Sequence, residues 1–243
     1  GLEPDGAEFM LVFDDGDFSE SETVLLSDAM AHLPREVLAK NFAVSEQAFK
    51  NTPKEELFIF QSELPGSLEA DQKAAAGARG KSPRDFAFRT MEMPPTLQTK
   101  SGEVRIVDSR NFKVSSTAMA MVTVHPGGLR ELHWHPNADE WQFFISGKGR
   151  QTVVSTGNKA RTLDFQSGDV GYVQKTLLHY IENTGDSDLV FLEMFAKVDR
   201  FEDLSFSEWL AHTPPEAVMA HLRIDKATYT AIPKNGGAIM PLT

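Results

Sequence analysis

His133-Trp134-His135 is the run of this chain best suited to chemistry. In an extended segment side chains alternate, so both imidazoles face one way and Trp134 faces the other. Glu140 follows five residues after His135, a spacing that places it on the opposite face of a straight strand. Pro136-Asn137 interrupts the run, however, and can re-aim the chain through a turn or bulge. His179 falls in a later strand-like run suited to pairing alongside. Three imidazoles and one carboxylate form a borderline donor set that suits Mn, Fe, Ni, Cu or Zn. Cysteine is absent, which disfavours a structural zinc and excludes a thiolate nucleophile. Only seven histidines are present and three fall in this pattern, so metal ligation is the better reading.

Two further residues bear on this set. Glu193 interrupts the apolar run Leu189–Phe195 and shares a face with Leu189, Phe191 and Phe195. A carboxylate buried there is costly unless it is paired or used, so a structural ion pair and a functional group are equally open. Arg130 precedes His133 by three residues, which by parity points it away from the ligand face.

The elements that position these residues are short β-like runs from Phe86 onward. They are Arg105–Asp108, Ala118–His125, Glu131–Ile145, Arg150–Val154, Asp169–Val173, His179–Asn183 and Leu189–Phe195. Turns such as Pro126-Gly127-Gly128, Ser146-Gly147 and Thr156-Gly157-Asn158 separate them. This pattern predicts a mainly β, antiparallel sandwich or barrel with short flanking helices.

An internal repeat frames it. Ser27, Ala31, His32, Pro34 and Glu36 recur 180 residues later as Ser207, Ala211, His212, Pro214 and Glu216. Each copy reads as a Ser-capped short helix stopped at a proline that opens a second helix. Each follows an apolar strand, Glu8–Phe13 in one case and Asp188–Phe195 in the other. The expected organisation is therefore 1–62 as the tail of an upstream copy, 63–84 as a Gly/Ala/Pro-containing linker, and 85–243 as a second copy. The counterpart of the His-rich motif would then lie upstream of Gly1. A targeting signal would lie there too, which leaves cytoplasmic and secreted or periplasmic locations both open.

The net charge of −11 argues against nucleic acid or an anionic membrane as partner. No apolar run reaches the roughly 18 residues that a membrane helix needs.

Gly127-x5-His133-x-His135-x4-Glu140-x6-Gly147 resembles the first cupin motif, and Gly168-x10-His179-x3-Asn183 resembles the second. In the latter, Gln174 and Thr176 replace the usual Pro and Gly, which is expected to loosen that turn. Gly128-Leu-Arg-Glu-Leu-His-Trp-His-Pro and Gly168-Asp-Val-Gly-Tyr-Val are similar to the C-terminal half of bicupin oxalate decarboxylases. The resemblance runs from Ala7 to about Ala220 and implies half of a bicupin with a cupin β-sandwich or jelly-roll fold.

It further implies Mn(II) at His133, His135, Glu140 and His179, with oxalate as substrate and dioxygen as catalytic co-reactant. Arg130 would contact the substrate, and Glu193 would lie near the metal and hydrogen-bond an arginine. Ser19-Glu20-Ser21-Glu22-Thr23 resembles the family's lid segment, Ser-Glu-Asn-Ser-Thr, with departures at Ser21 and Glu22. Glu20 would be the proton donor of the upstream half. The implied partners are that upstream cupin and further copies of the chain in a trimer or hexamer. Oxalate oxidase and a non-catalytic manganese-storage bicupin are the alternative functions.

Overall fold

A computed structural model describes residues 6–19, 22–55, 57–77, 80–234, 236 and 238–241. The chain divides into two compact units, Gly1–Pro83 and Arg84–Thr243.

The first unit holds helices α1 (Leu26–His32), α2 (Arg35–Phe42) and α3 (Leu68–Ala76), with a 3-10 turn at Glu46–Phe49. Residues 7–13 form no strand, contrary to the sequence expectation. A strand needs a ladder partner, and among the described residues this unit offers none. The segment expected as linker contains α3, because Ser67 caps it by accepting from the Ala70 N–H and an alanine-rich run propagates it.

The second unit is the expected antiparallel β-sandwich. Its first sheet runs in the order β1 (Leu97–Thr99), β2 (Gly102–Val107), β3 (Ala118–Val124), β10 (Leu189–Phe195), β5 (Glu140–Ser146) and β8 (Val170–Val173). The second runs β11 (Leu204–Ser205), β4 (Gly128–Trp134), β9 (Leu178–Asn183), β6 (Lys148–Ser155) and β7 (Lys159–Gln166), with β12 (Ile239–Pro241) also on β4. Period-two alternation builds the core: Ala118, Ala120, Val122 and Val124 are buried along β3. They join Phe144, Leu189, Phe191 and Phe195 of the same sheet and Phe165, Ile181 and Ile239 of the other. Phe144 of β5 stacks on Phe165 of β7 at 4.4 Å, so aromatic packing closes the two layers. Helices α4 (Phe206–His212), α5 (Pro215–Leu222) and α6 (Lys226–Ala231) follow, with their own cluster of Leu210, Val218 and Tyr229. Among the described residues no helix is long and apolar enough to cross a membrane.

The two helix pairs share their local conformation, but not the expected caps. Ser27 and Ser207 lie inside α1 and α4, Leu25 precedes α1 without a side-chain cap, and Ser205 caps α4 by accepting from the Glu208 N–H. α1 and α2 match α4 and α5 residue for residue at the 180-residue offset. Pro34 and Pro214 occupy the same cap position with ψ of 131° and 129°. Ala43 and Arg223 both end their helix in the left-handed region, with φ of 54° and 55°.

Candidate metal centre

The sandwich interior brings His133, His135, Glu140 and His179 together, all buried, with one potential ligand atom of each within 4.8 Å of the others. His133 of β4 lies directly opposite His179 of β9 in the ladder, which seats two imidazoles of the second sheet side by side. His135 follows at the end of β4. The parity problem of Glu140 is resolved by a change of sheet. After Pro136 the chain crosses to open β5 in the first sheet, so Glu140 faces the histidines from across the sandwich. The run expected over Glu131–Ile145 is thus two strands.

Each imidazole is oriented by the main chain. His133 Nδ1 lies 2.6 Å from the Glu131 carbonyl, His135 Nδ1 2.8 Å from the Glu202 carbonyl, and His179 Nδ1 2.9 Å from the Leu177 carbonyl. A carbonyl oxygen only accepts, so each Nδ1 carries the proton and each Nε2 keeps its lone pair. All three Nε2 atoms and Glu140 Oε2 are buried without a hydrogen-bond partner among the described residues. His179 Nε2 lies 2.8 Å and His135 Nε2 3.4 Å from Glu140 Oε2, yet neither contact has hydrogen-bond geometry. Four buried ligand atoms that converge without partners are what a bound cation satisfies. The residues therefore fit a divalent metal with nitrogen and oxygen preference.

Burial, then Arg130 and His179, push His133 well below the ordinary histidine value and keep it a neutral ligand. Glu140 and His135 pull the other way. Burial alone would raise the Glu140 pKa and lower that of His135, but in the absence of a cation protonated His179 and His135 hold the carboxyl low and Glu140 holds His135 up. A cation bound there would take the place of those protons. Gln142 shares the Glu140 face of β5 and donates from Nε2 to Glu140 Oε1 at 2.8 Å, leaving Oε2 for a metal. Gly171 makes room for this contact: a Cβ there would sit 2.2 Å from Gln142 Oε1.

Arg130 is 1% exposed, and the surface position that parity suggests is wrong. Between Arg130 and His133 the β4–β9 register shifts: Arg130 faces Ile181 and His133 faces His179, so β4 spends three residues where β9 spends two. That bulge turns both side chains inward. Arg130 Nε donates to Glu193 Oε1 at 3.2 Å and Nη2 donates to Asp203 Oδ2 at 2.5 Å. Burial alone would lower the Arg130 pKa, but Asp203 and Glu193 together hold it above its ordinary value. Glu193 is fully buried, and burial pushes its carboxyl up against the opposing pull of Arg130. Arg130 Nη1 and Glu193 Oε2 are buried without partners among the described residues. Glu20 lies outside the described residues.

Sequence reasoning missed Asp203, Gln142 and Glu131. Glu131 anchors the bulge, accepting from Ser205 Oγ at 2.8 Å and from the Ala238 N–H at 3.2 Å. The repeat does not mark Asp203: extended four residues upstream, it sets Asp203 opposite Thr23, a mismatch.

The turn before His179 is hydrogen-bonded in spite of its departures from the motif. Thr176 adopts φ of 70° where the motif carries Gly. Its N–H is held by the His135 carbonyl at 2.8 Å, and the neighbouring Lys175 N–H by Asp139 Oδ1 at 2.8 Å.

Comparison with known proteins agrees with this architecture. Oxalate decarboxylase OxdC of Bacillus subtilis (strain 168) is 51% identical over 223 residues, covering 91% of this chain and 57% of that protein. A probable oxalate decarboxylase of Arthroderma benhamiae is 41% identical over 229 residues, covering 92% of this chain and 55% of that protein. A solved structure of Bacillus subtilis oxalate decarboxylase, studied for its Mn(II) centres, aligns with a TM-score of 0.86 at 46% identity. That alignment covers 93% of this chain and 59% of the other. The chain thus spans a little over half the length of the relatives it matches. A family model described as Cupin matches residues 88–229, a stretch that contains all four clustered side chains and strands of both sheets, and the chain belongs to the cupin family.

Proposed function

We propose that this chain is part of an oxalate decarboxylase, in which His133, His135, Glu140 and His179 hold Mn(II). The observation that carries the reading is the convergence of four unpartnered ligand atoms beside a buried, paired arginine. Relatives in which oxalate decarboxylase activity and Mn(II) centres are described support the substrate and the metal. The overall change is oxalate plus one proton to formate and carbon dioxide: the C–C bond breaks and a C–H bond forms.

Mn(II), when bound, supplies Lewis-acid and one-electron chemistry, with dioxygen as co-reactant. This chain's residues would do the rest. The Arg130 guanidinium offers a planar fork matched to a carboxylate and keeps its charge at any working pH. Glu193, with its raised pKa, is suited to hold a proton beside Arg130. The apolar shell of Phe195 and Phe201, which pack on His135 at 4.7 and 5.5 Å, excludes water from that side.

The partners belong to the same proposal: an upstream cupin half, with Glu20 as its proton donor, and further copies of the chain in a trimer or hexamer. Exposed apolar side chains of the first unit, such as Phe9, Val24, Leu26 and Ile59, suit burial against such partners.

The test is product analysis of the Mn-loaded protein with oxalate. Formate release in step with carbon dioxide supports a decarboxylase. Hydrogen peroxide as main product makes it an oxidase, and stoichiometric Mn without turnover makes it a storage protein.

A further inference from the structure

Arg130 is held by two carboxylates of different character. Glu193, on β10, is fully buried and has nowhere to go. Asp203 sits just before β11, and its side chain is 31% exposed. Rotation of Asp203 into water therefore exchanges one ion pair for hydration, at a cost that Glu193 cannot match.

The main chain that carries Asp203 is fixed. His135 Nδ1 donates to the Glu202 carbonyl at 2.8 Å, Glu202 N–H donates to Asn137 Oδ1 at 2.9 Å, and Asn137 Nδ2 donates to the Arg200 carbonyl at 2.9 Å. On the other side Leu204 and Ser205 pair with Trp134 and His133 in the sheet. Asp203 can therefore leave Arg130 by turning its own side chain, without disturbing His135 or the sheet.

We propose, resting on the oxalate reading above, that Asp203 is an internal competitor for Arg130: its carboxylate occupies the seat of the substrate's second carboxylate and makes this centre selective for ligands that can replace it. Carboxylate Oδ2 already lies on Nη2 at hydrogen-bond distance, which is the contact an incoming carboxylate would make. Asp203 cancels one positive charge of the site whatever the state of Glu193. While it stays, a dianion is under-matched; once it turns out, one more positive charge faces the ligand. A dicarboxylate can reach cation and arginine together and so displaces Asp203. A monocarboxylate such as formate leaves Asp203 in possession of Arg130. The repeat sharpens the point, because Thr23 stands at the matching position of the first copy and carries no charge. At this one position the second copy carries an acid where the first carries a hydroxyl.

The test compares the Mn-loaded full chain with Asp203→Ala and Asp203→Asn. Binding of oxalate, malonate and formate is measured by calorimetry and by the Mn(II) EPR spectrum, with Mn content and far-UV circular dichroism as controls. Asp203→Ala should tighten oxalate by about tenfold, the scale of one charged contact released, and formate by much less. Asp203→Asn keeps the side chain's size and an oxygen acceptor, so it should fold as wild type does and tighten oxalate by an intermediate factor. Wild-type oxalate affinity in both variants, at full Mn content, overturns the competitor and leaves the oxalate reading standing. A gain for malonate without any oxalate binding keeps the competitor and removes oxalate as substrate.

Discussion

Arg130 and His133 stand three residues apart on β4, and both face the interior of the sandwich. The extra residue between them is what allows one strand to present a cationic hydrogen-bond donor and a metal ligand to the same space. Arg130→Lys keeps the charge and removes the fork that bonds Glu193 and Asp203 at once. Mn content should stay at the wild-type level while oxalate binding weakens by about tenfold or more, the scale of one charged hydrogen bond. Metal analysis and calorimetry on one preparation check both halves, and unaltered oxalate affinity would remove Arg130 from the substrate site.

His133→Ala deletes one of four converging ligands without touching the aromatic and aliphatic core around Phe144 and Phe191. Stoichiometric Mn should be lost with the β-sheet signal intact. Adding Mn(II) should raise the melting temperature of the wild-type protein and leave the variant's unchanged, since only a bound cation stabilises the fold by mass action.

Thr176 holds a left-handed conformation that a β-branched side chain adopts only under strain. Thr176→Gly relieves about 1–2 kcal/mol of that strain and returns part of it as unfolded-chain entropy. The net expectation is a stabilisation of up to about 1 kcal/mol, read from chemical denaturation with an unchanged m-value.

Asp108 closes β2 and receives both the side chain and the backbone N–H of Arg110. The next residue, Ser109, donates its N–H to the Asp199 carbonyl at 3.0 Å, so this corner also braces the segment leading to Asp203. The Arg110 side chain beside it holds the Asp108 carboxyl below its ordinary value. A depressed acid stabilises the fold above its unfolded pKa of about 3.9 and loses that contribution as the pH falls through the folded value. Asp108→Asn should therefore cost about 1 kcal/mol near neutral pH, allowing for the exposed arginine. The gap between variant and wild type should close below about pH 4 in melting curves.

The sandwich and the donor set were legible in the sequence because both rest on local rules. Alternation in Ala118–Val124 and Leu189–Phe195 reports one buried face, and two histidines at spacing two must share a side. What escaped depends on tertiary geometry. β7 went unseen because only Phe165 of its eight residues is buried, so no apolar alternation marks it. Parity alone aims Arg130 outward because it assumes a straight strand; the family resemblance put Arg130 in the site, and the register shift that turns it inward has no local marker. Asp203 looked like one more solvated acid in a chain of net charge −11, and only the fold sets it against Arg130.

The carbonyls of Glu131, Leu177 and Glu202 that orient the three imidazoles have a consequence for divergence. In many metal sites a side-chain carboxylate does this work, and one codon change can abolish it. Here no point substitution removes the acceptor, because every residue brings its own carbonyl. Side chains around the centre, Asp203 and Glu193 among them, are free to drift and retune which anion is taken and what becomes of it. The orientation of the three imidazoles stays through that drift, so one unchanging donor cradle can pass from one chemistry to another in a lineage.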